Sequence, residues 1–149
     1  MKNRSIRTLL SCAIVSIIIS SFSIPAFAYV NDNLGYNFTI KPYCENSYLE
    51  PARFRETYDN NNSWKVQLSY SGEGNGTVTT FWLEKANTGT KSPASRYYDI
   101  QQGHAPYYKP AWDNADYTYV KLAAENNNSI ALQYTASGIW DEETGVAPR

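Results

Sequence analysis

Of the side chains that carry chemistry, histidine and cysteine are the scarcest in this sequence, with one and two copies among 149 residues. Imidazole-dependent catalysis would therefore rest on His104 alone. It stands in Gln102-Gly103-His104-Ala105-Pro106, where glycine and proline predict a surface loop. Cys44 beside His104 would make a thiolate with its base, yet no local signature accompanies either residue. The common zinc sets need more Cys and His than Cys44 and His104 supply. For calcium, Asp59-x-Asn61-x-Ser63 opens like an oxygen-ligand loop. Trp64 and Tyr70 then occupy the places where an EF-hand needs glycine and glutamate. A looser oxygen set drawing on Asp113, Asp116 or Asp141 stays open. Glycoside hydrolysis asks for two carboxylates flanking a sugar cleft. With 14 Asp and Glu, the existence of pairs decides nothing, and the densest group, Asp141-Glu142-Glu143 beside Trp140, reads as a solvated tail. The sequence assigns no catalytic residue, metal ligand or cofactor, and the expectation is a protein that is not an enzyme.

Aromatic residues are the outlier. All 13 Tyr and four Trp lie after residue 28. Tyrosine offers a rigid apolar face with a polar tip and serves interfaces. The run Tyr107-Tyr108-Lys109-Pro110-Ala111-Trp112-Asp113-Asn114 lacks strand alternation and carries prolines. It predicts an aromatic loop in which Tyr107, Tyr108 and Trp112 stack on sugar rings while Asp113 and Asn114 read hydroxyls. The competing reading is that the rings plug an open end of the fold.

The elements that position these residues are read from period-2 alternation. Trp64, Val66, Leu68 and Tyr70 alternate with Lys65, Gln67 and Ser69, and the β-branched and aromatic run from Thr77 to Leu83 follows the glycine-rich 72–76 segment. The pair predicts a β-hairpin with Trp64, Tyr70 and Trp82 in the core. Tyr36, Phe38 and Ile40 predict a strand, as do residues 96–100. Thr118, Val120, Leu122 and Ala124 predict one face of another strand, with Tyr117, Tyr119 and Lys121 on the opposite face. Ile130, Leu132, Tyr134 and Ala136 predict the last. No segment holds a 3.6-residue apolar period. The fold class is all-β: a single antiparallel β-sandwich or small barrel of about six to eight short strands.

At the start of the chain, Lys2, Arg4 and Arg7 precede an apolar stretch from Leu9 to Ile19, then Pro25 and Ala26-Phe27-Ala28. Basic segment, apolar segment and small-x-small site predict a signal peptide over residues 1–28, with a β domain over residues 29–149 whose last few residues form a flexible tail. The apolar run is short for a bilayer span and broken by serines. A lipoprotein reading of Cys12 fails because the apolar stretch continues past it. Cleavage would leave ten Lys and Arg against 14 Asp and Glu, a net charge of −4 with His104 neutral. That balance, with no basic run, argues against nucleic acid and anionic membrane as partners. Cys44 would be the sole remaining cysteine, so the domain is expected to fold without an internal disulfide and to bury Cys44 as a small apolar group.

Several segments carry a resemblance: Phe38-Thr39-Ile40-Lys41, Trp64-Lys65-Val66, Tyr70-Ser71-Gly72-Glu73-Gly74, Thr80-Phe81-Trp82-Leu83, Ala124-Glu125-Asn126-Asn127-Asn128 and Gly138-x-Trp140-Asp141-Glu142-Glu143-Thr144. They resemble a family of small secreted proteins of bacilli catalogued as a domain of unknown function. The resemblance spans residues 32–144 and implies secretion and one compact domain, with no activity. A more distant similarity in style is to secreted lactococcin-type bacteriocins. The expectation is a secreted, extracellular, non-enzymatic binding protein acting at the cell envelope or on extracellular polymer. Its expected partner is a cell-wall or extracellular polysaccharide or a surface protein. A bacteriocin-like antagonist is the alternative, and a small polysaccharide hydrolase comes third.

Overall fold

Alternation becomes strand wherever one side of a segment can be buried, and it does so along most of this chain. A computed structural model describes residues 31–86 and 90–149; the expected signal peptide and its cleavage site lie outside the described residues. Among these residues the chain forms nine strands: β1 (Leu34–Ile40), β2 (Ser47–Tyr48), β3 (Arg53–Arg55), β4 (Trp64–Ser71), β5 (Val78–Lys85), β6 (Tyr98–Gln101), β7 (Tyr107–Lys109), β8 (Thr118–Asn126) and β9 (Tyr134–Asp141). A 3-10 turn at Asp113–Ala115 joins β7 to β8. The strands make two antiparallel sheets, so the all-β class holds and the architecture is a sandwich, with one strand more than expected. The first sheet runs β1-β9-β4-β7 and the second β2-β8-β5-β6, with β3 also on β8.

The core lies between the sheets. Tyr36, Val66, Leu68, Ala136 and Trp140 meet Phe81, Leu83, Ile100, Val120, Leu122 and Ala124 there. Thr118, Val120, Leu122 and Ala124 do share the inward face of β8, and Tyr119, Lys121 and Glu125 point outward.

Several expectations about the elements and their side chains are corrected. The expected hairpin does not exist: β4 and β5 sit in different sheets, and residues 72–77 cross from one layer to the other. Alternation defines a strand but not its partner, and a six-residue loop can bridge layers about 10 Å apart as readily as neighbouring strands. Tyr70 is 53% exposed because a β-bulge between Leu68 and Tyr70 shifts the register on β9, turning Tyr70 outward and Ser71 inward. Trp82 is buried as expected, but on the outer side of its sheet. Phe81 and Leu83 take the core positions, while the Trp82 ring packs 4.5 Å from that of Tyr97 and its indole N–H donates to Glu84 at 2.8 Å. Ile130 and Leu132 are exposed, and the last strand starts at Tyr134. Cys44 is free and half-buried, in a turn where it and Tyr43 both have φ of 56°.

In the acidic triplet expected on a solvated tail, Asp141 and Glu142 are instead buried and Glu143 is half-buried. Asp141 accepts from the Asp32 N–H at 2.6 Å and lies 4.0 Å from the Lys65 ammonium, both side chains being almost fully enclosed. Glu142 pairs with Arg53. Glu143 accepts from the Glu56 and Thr57 N–H groups at 3.0 Å each. Beyond it, Ser63 N–H donates to the Val146 carbonyl and Arg149 N–H to that of Tyr108, so the final residues are docked.

Candidate binding surface

Two loops at one end of the sandwich carry exposed rings in contact with one another. Residues 56–63 link β3 to β4, and residues 110–117 link β7 to β8. Tyr58 and Tyr117 are 71% and 56% exposed, and their rings lie parallel, 5.2 Å apart with an 8° interplanar angle. Phe54 meets Tyr117 edge-on at 5.0 Å and Tyr119 at the same distance. Phe54 and Tyr119 are direct cross-strand partners of β3 and β8, so the exposed stack continues onto the outer face of the second sheet. Tyr117 holds φ of 45°, a left-handed conformation costing an ordinary residue about 1 kcal/mol.

The loops are braced from beneath. Arg55 is fully buried and donates to the Glu142 carbonyl at 2.6 Å, to Asn62 O at 2.7 Å and to Asp59 O at 3.3 Å. A guanidinium fork can hold three carbonyls in fixed directions where an ammonium could not. Asp59 folds its own turn, accepting from Asn61 N–H at 2.8 Å. The loops are tied by Tyr117 N–H to Thr57 O at 3.3 Å and by the Asn60 amide donating to Asp113. The Asp141-Glu142-Glu143 segment is thus the girder under this end. Burial pushes the Asp141 carboxyl up to about 7, against the lowering pull of the Glu143 N–H bond and Lys65. Burial likewise raises Glu143 and Asp116, with Arg55 opposing it in both.

The five residues expected at the binding surface are divided by the fold. Trp112, Asp113 and Asn114 are exposed on the linked loops, Trp112 at 43%, and Asn114 is fixed by donating to Pro93 O at 3.0 Å. Tyr107 and Tyr108 belong instead to strand β7, which pairs with β4, so the loop expected there begins only after Lys109. Tyr107 packs half-buried against the core. Tyr108 is buried on the outer face of the first sheet, beneath the Arg149 guanidinium at 4.5 Å, and its hydroxyl accepts from Asn31. Tyr58, Tyr117 and Phe54 were not anticipated as ligand-facing. They come from separate segments, and the available signal was the tyrosine-bearing outward face of the strand following Asp116.

His104 stacks loosely on Tyr107 at 6.4 Å. Among the described residues no three His, Cys, Asp or Glu side chains converge as a metal site would require. No described helix is long and apolar enough to cross a membrane.

A family model described as a protein of unknown function, DUF2712, matches residues 24–144. The chain belongs to the DUF2712 family. Its match covers both sheets and the whole braced loop end. No curated protein and no solved structure matches the chain. Within this DUF2712 chain, Gly138 has a geometric reason to be glycine, since a Cβ there would stand 1.8 Å from the Gln67 carbonyl oxygen. Trp140 is a core residue, and Asp141 and Glu143 hold Asp32, Glu56 and Thr57 through their backbone N–H groups.

Proposed function

We propose that this DUF2712 protein is a secreted, extracellular, non-enzymatic binding protein that holds saccharide rings of extracellular polymer or of the cell envelope. The observation that carries the reading is the parallel Tyr58–Tyr117 pair, more than half exposed on loops that a buried arginine holds in place. The ring contact is worth only about 1 kcal/mol to the fold and leaves more than half of each residue facing solvent. It offers what a pyranose face needs, a flat apolar surface, with the amide and carboxylate groups of Asn60, Asp113 and Asn114 on the same loops for hydroxyls. The charged and apolar segments before residue 28 support an extracellular setting.

The test is co-sedimentation of the purified protein with live bacteria and with isolated cell-wall polysaccharide, counting surviving cells in the same tubes. Pelleting that is lost in the Tyr58→Ala/Tyr117→Ala variant, with cells alive, supports the proposal. Protein that stays in the supernatant with every polymer overturns it. Pelleting accompanied by cell death would move the bacteriocin-like alternative ahead.

A further inference from the structure

The outer face of the first sheet carries a row of three side chains across its strands. Lys65 on β4 stands opposite Asp141 on β9 and opposite Tyr108 on β7. All three are buried, Lys65 and Asp141 almost completely. The segment that leads into β1 lies over the row. The Lys65 ammonium donates to the side-chain carbonyl of Asn31, to the backbone carbonyl of Asp32 and, at 3.0 Å, to the side-chain carbonyl of Asn33. Asp141 grips the same segment by accepting from the Asp32 N–H at 2.6 Å. The Asn31 amide is held at both ends, since its nitrogen donates to the Tyr108 hydroxyl at 3.2 Å. Among the described residues, Asn33 is held by its carbonyl oxygen alone.

A buried ammonium is costly even when its hydrogen bonds are met. Here it faces a primary amide, with a carboxyl oxygen 4.0 Å from its nitrogen. Those are a nucleophile, an acyl donor and a proton acceptor in one enclosed place. Burial raises the Asp141 carboxyl to about 7, so it can accept a proton near neutrality. A carbonyl carbon lies about 1.2 Å behind its oxygen. A small rotation of the lysine therefore carries Nζ from Oδ1 to within about 3–3.5 Å of Cγ, the range of a near-attack pose.

We propose that Lys65 and Asn31 join in an intramolecular isopeptide bond. Asp141 takes one proton from the Lys65 ammonium, and the neutral Nζ attacks Asn31 Cγ. The N–C bond forms, a second proton passes from Nζ to the departing amide nitrogen, and the Cγ–Nδ2 bond breaks to release ammonia. The ammonia carries away the proton held by Asp141 as ammonium, so atoms and charge balance without an oxidant or cofactor. Asn31 is exposed, which gives the ammonia a way out. The product replaces a buried charge with a neutral amide and fastens the segment before β1 to β4, past the intervening β9. It is one self-modification without turnover, independent of what the tyrosine loops bind.

The test is the intact mass of the purified protein, with tandem mass spectrometry of its tryptic peptides. The expected mass is lower than the sequence of the purified chain requires by one ammonia, about 17 Da, with Lys65 uncut and joined to the peptide that holds Asn31. Asn31→Ala, at an exposed position, should fold and show neither sign. Asp141→Asn, which keeps an acceptor for the Asp32 N–H but takes no proton, should also show neither. Asn33→Ala should keep both, and circular dichroism checks that each variant is folded. A full-sequence mass with Lys65 cleaved normally overturns the proposal. So does ammonia loss that persists in Lys65→Met, which would mark an asparagine cyclised on its own backbone. A branch at Asn33 overturns the choice of Asn31, and complete cross-linking in folded Asp141→Asn overturns the proton role of Asp141.

Discussion

Replacing Gly138 with alanine adds one methyl group in the middle of the first sheet, and the structure gives the size of the resulting conflict. Gly138 faces Leu68 on β4 and Tyr36 on β1, beside the bulge that turns Tyr70 outward. The new Cβ would lie 1.8 Å from Gln67 O, 2.9 Å from Gln67 C and 3.1 Å from Ser69 N. All three are backbone atoms of a strand paired on both sides, so no side-chain rotation relieves the contact. Strands β4 and β9 would have to separate, at a cost of about 1–3 kcal/mol for overpacking. The Tyr36 hydroxyl, which donates to Gln67 O at 3.1 Å, would lose its partner, adding about 1 kcal/mol. Gly138→Ala should therefore destabilise by roughly 3 kcal/mol, against total stabilities of about 5–15 kcal/mol for domains of this kind. Urea unfolding followed by tryptophan fluorescence measures it, with Gly35→Ala as the control because no atom lies within 4 Å of its Cβ. The control should stay within about 0.5 kcal/mol of the parent. A Gly138→Ala midpoint equal to that of the control, at unchanged m, would refute the close approach of β4 and β9.

Three further outcomes follow from the braced end. Asp141 holds its proton more tightly folded, at about 7, than unfolded. Its stabilising contribution is therefore full at acid pH and is lost as pH rises through 7, about 2.5 kcal/mol between pH 5 and 8. Urea midpoints across that range should show this loss diminished by that amount in Asp141→Asn. Arg55→Met leaves the carbonyls of Glu142, Asn62 and Asp59 without their donor and should cost about 3–5 kcal/mol. Hydrogen exchange should quicken first in residues 57–62, and Arg55→Lys should recover only part of the loss. Tyr117→Gly relieves a left-handed backbone worth about 1 kcal/mol and gives up a mostly exposed ring contact of similar size. Thermal unfolding should move by only a few degrees while polymer binding falls severalfold.

Local pattern was a good guide to what becomes strand and a poor one to what lies beside it. β1 and β8 are legible because half of each strand faces an apolar core, leaving period-2 alternation in plain view. β7 is hidden because its short Tyr-Tyr-Lys run has a bulky ring on each side of the sheet and proline at each end. Nothing near Gly72 distinguishes a hairpin from a crossing between layers. The partners of Asp141, Glu142 and Glu143 lie more than 70 residues away in Lys65, Arg53 and Thr57, so three adjacent acids near a terminus look solvated until the fold brings cations and amides to them. Trp112, Asp113 and Asn114 could be read as a surface loop because they are contiguous. The Tyr58–Tyr117 pair could not, because it is assembled from two segments joined by one backbone bond and one amide.

The order of strands in the first sheet also constrains when the protein can come into being. β9 is the last strand synthesised, yet it sits between β1 and β4 and is the neighbour of both. Until residues 134–141 arrive, β1 has no strand partner and β4 lacks its main one, so the first sheet cannot form ahead of β9. The proposed secretion, which would thread the chain through a membrane pore in extended form, would benefit from that delay. The chain's architecture postpones closure of the first sheet until residues 134–141 are available, and then closes that sheet around them.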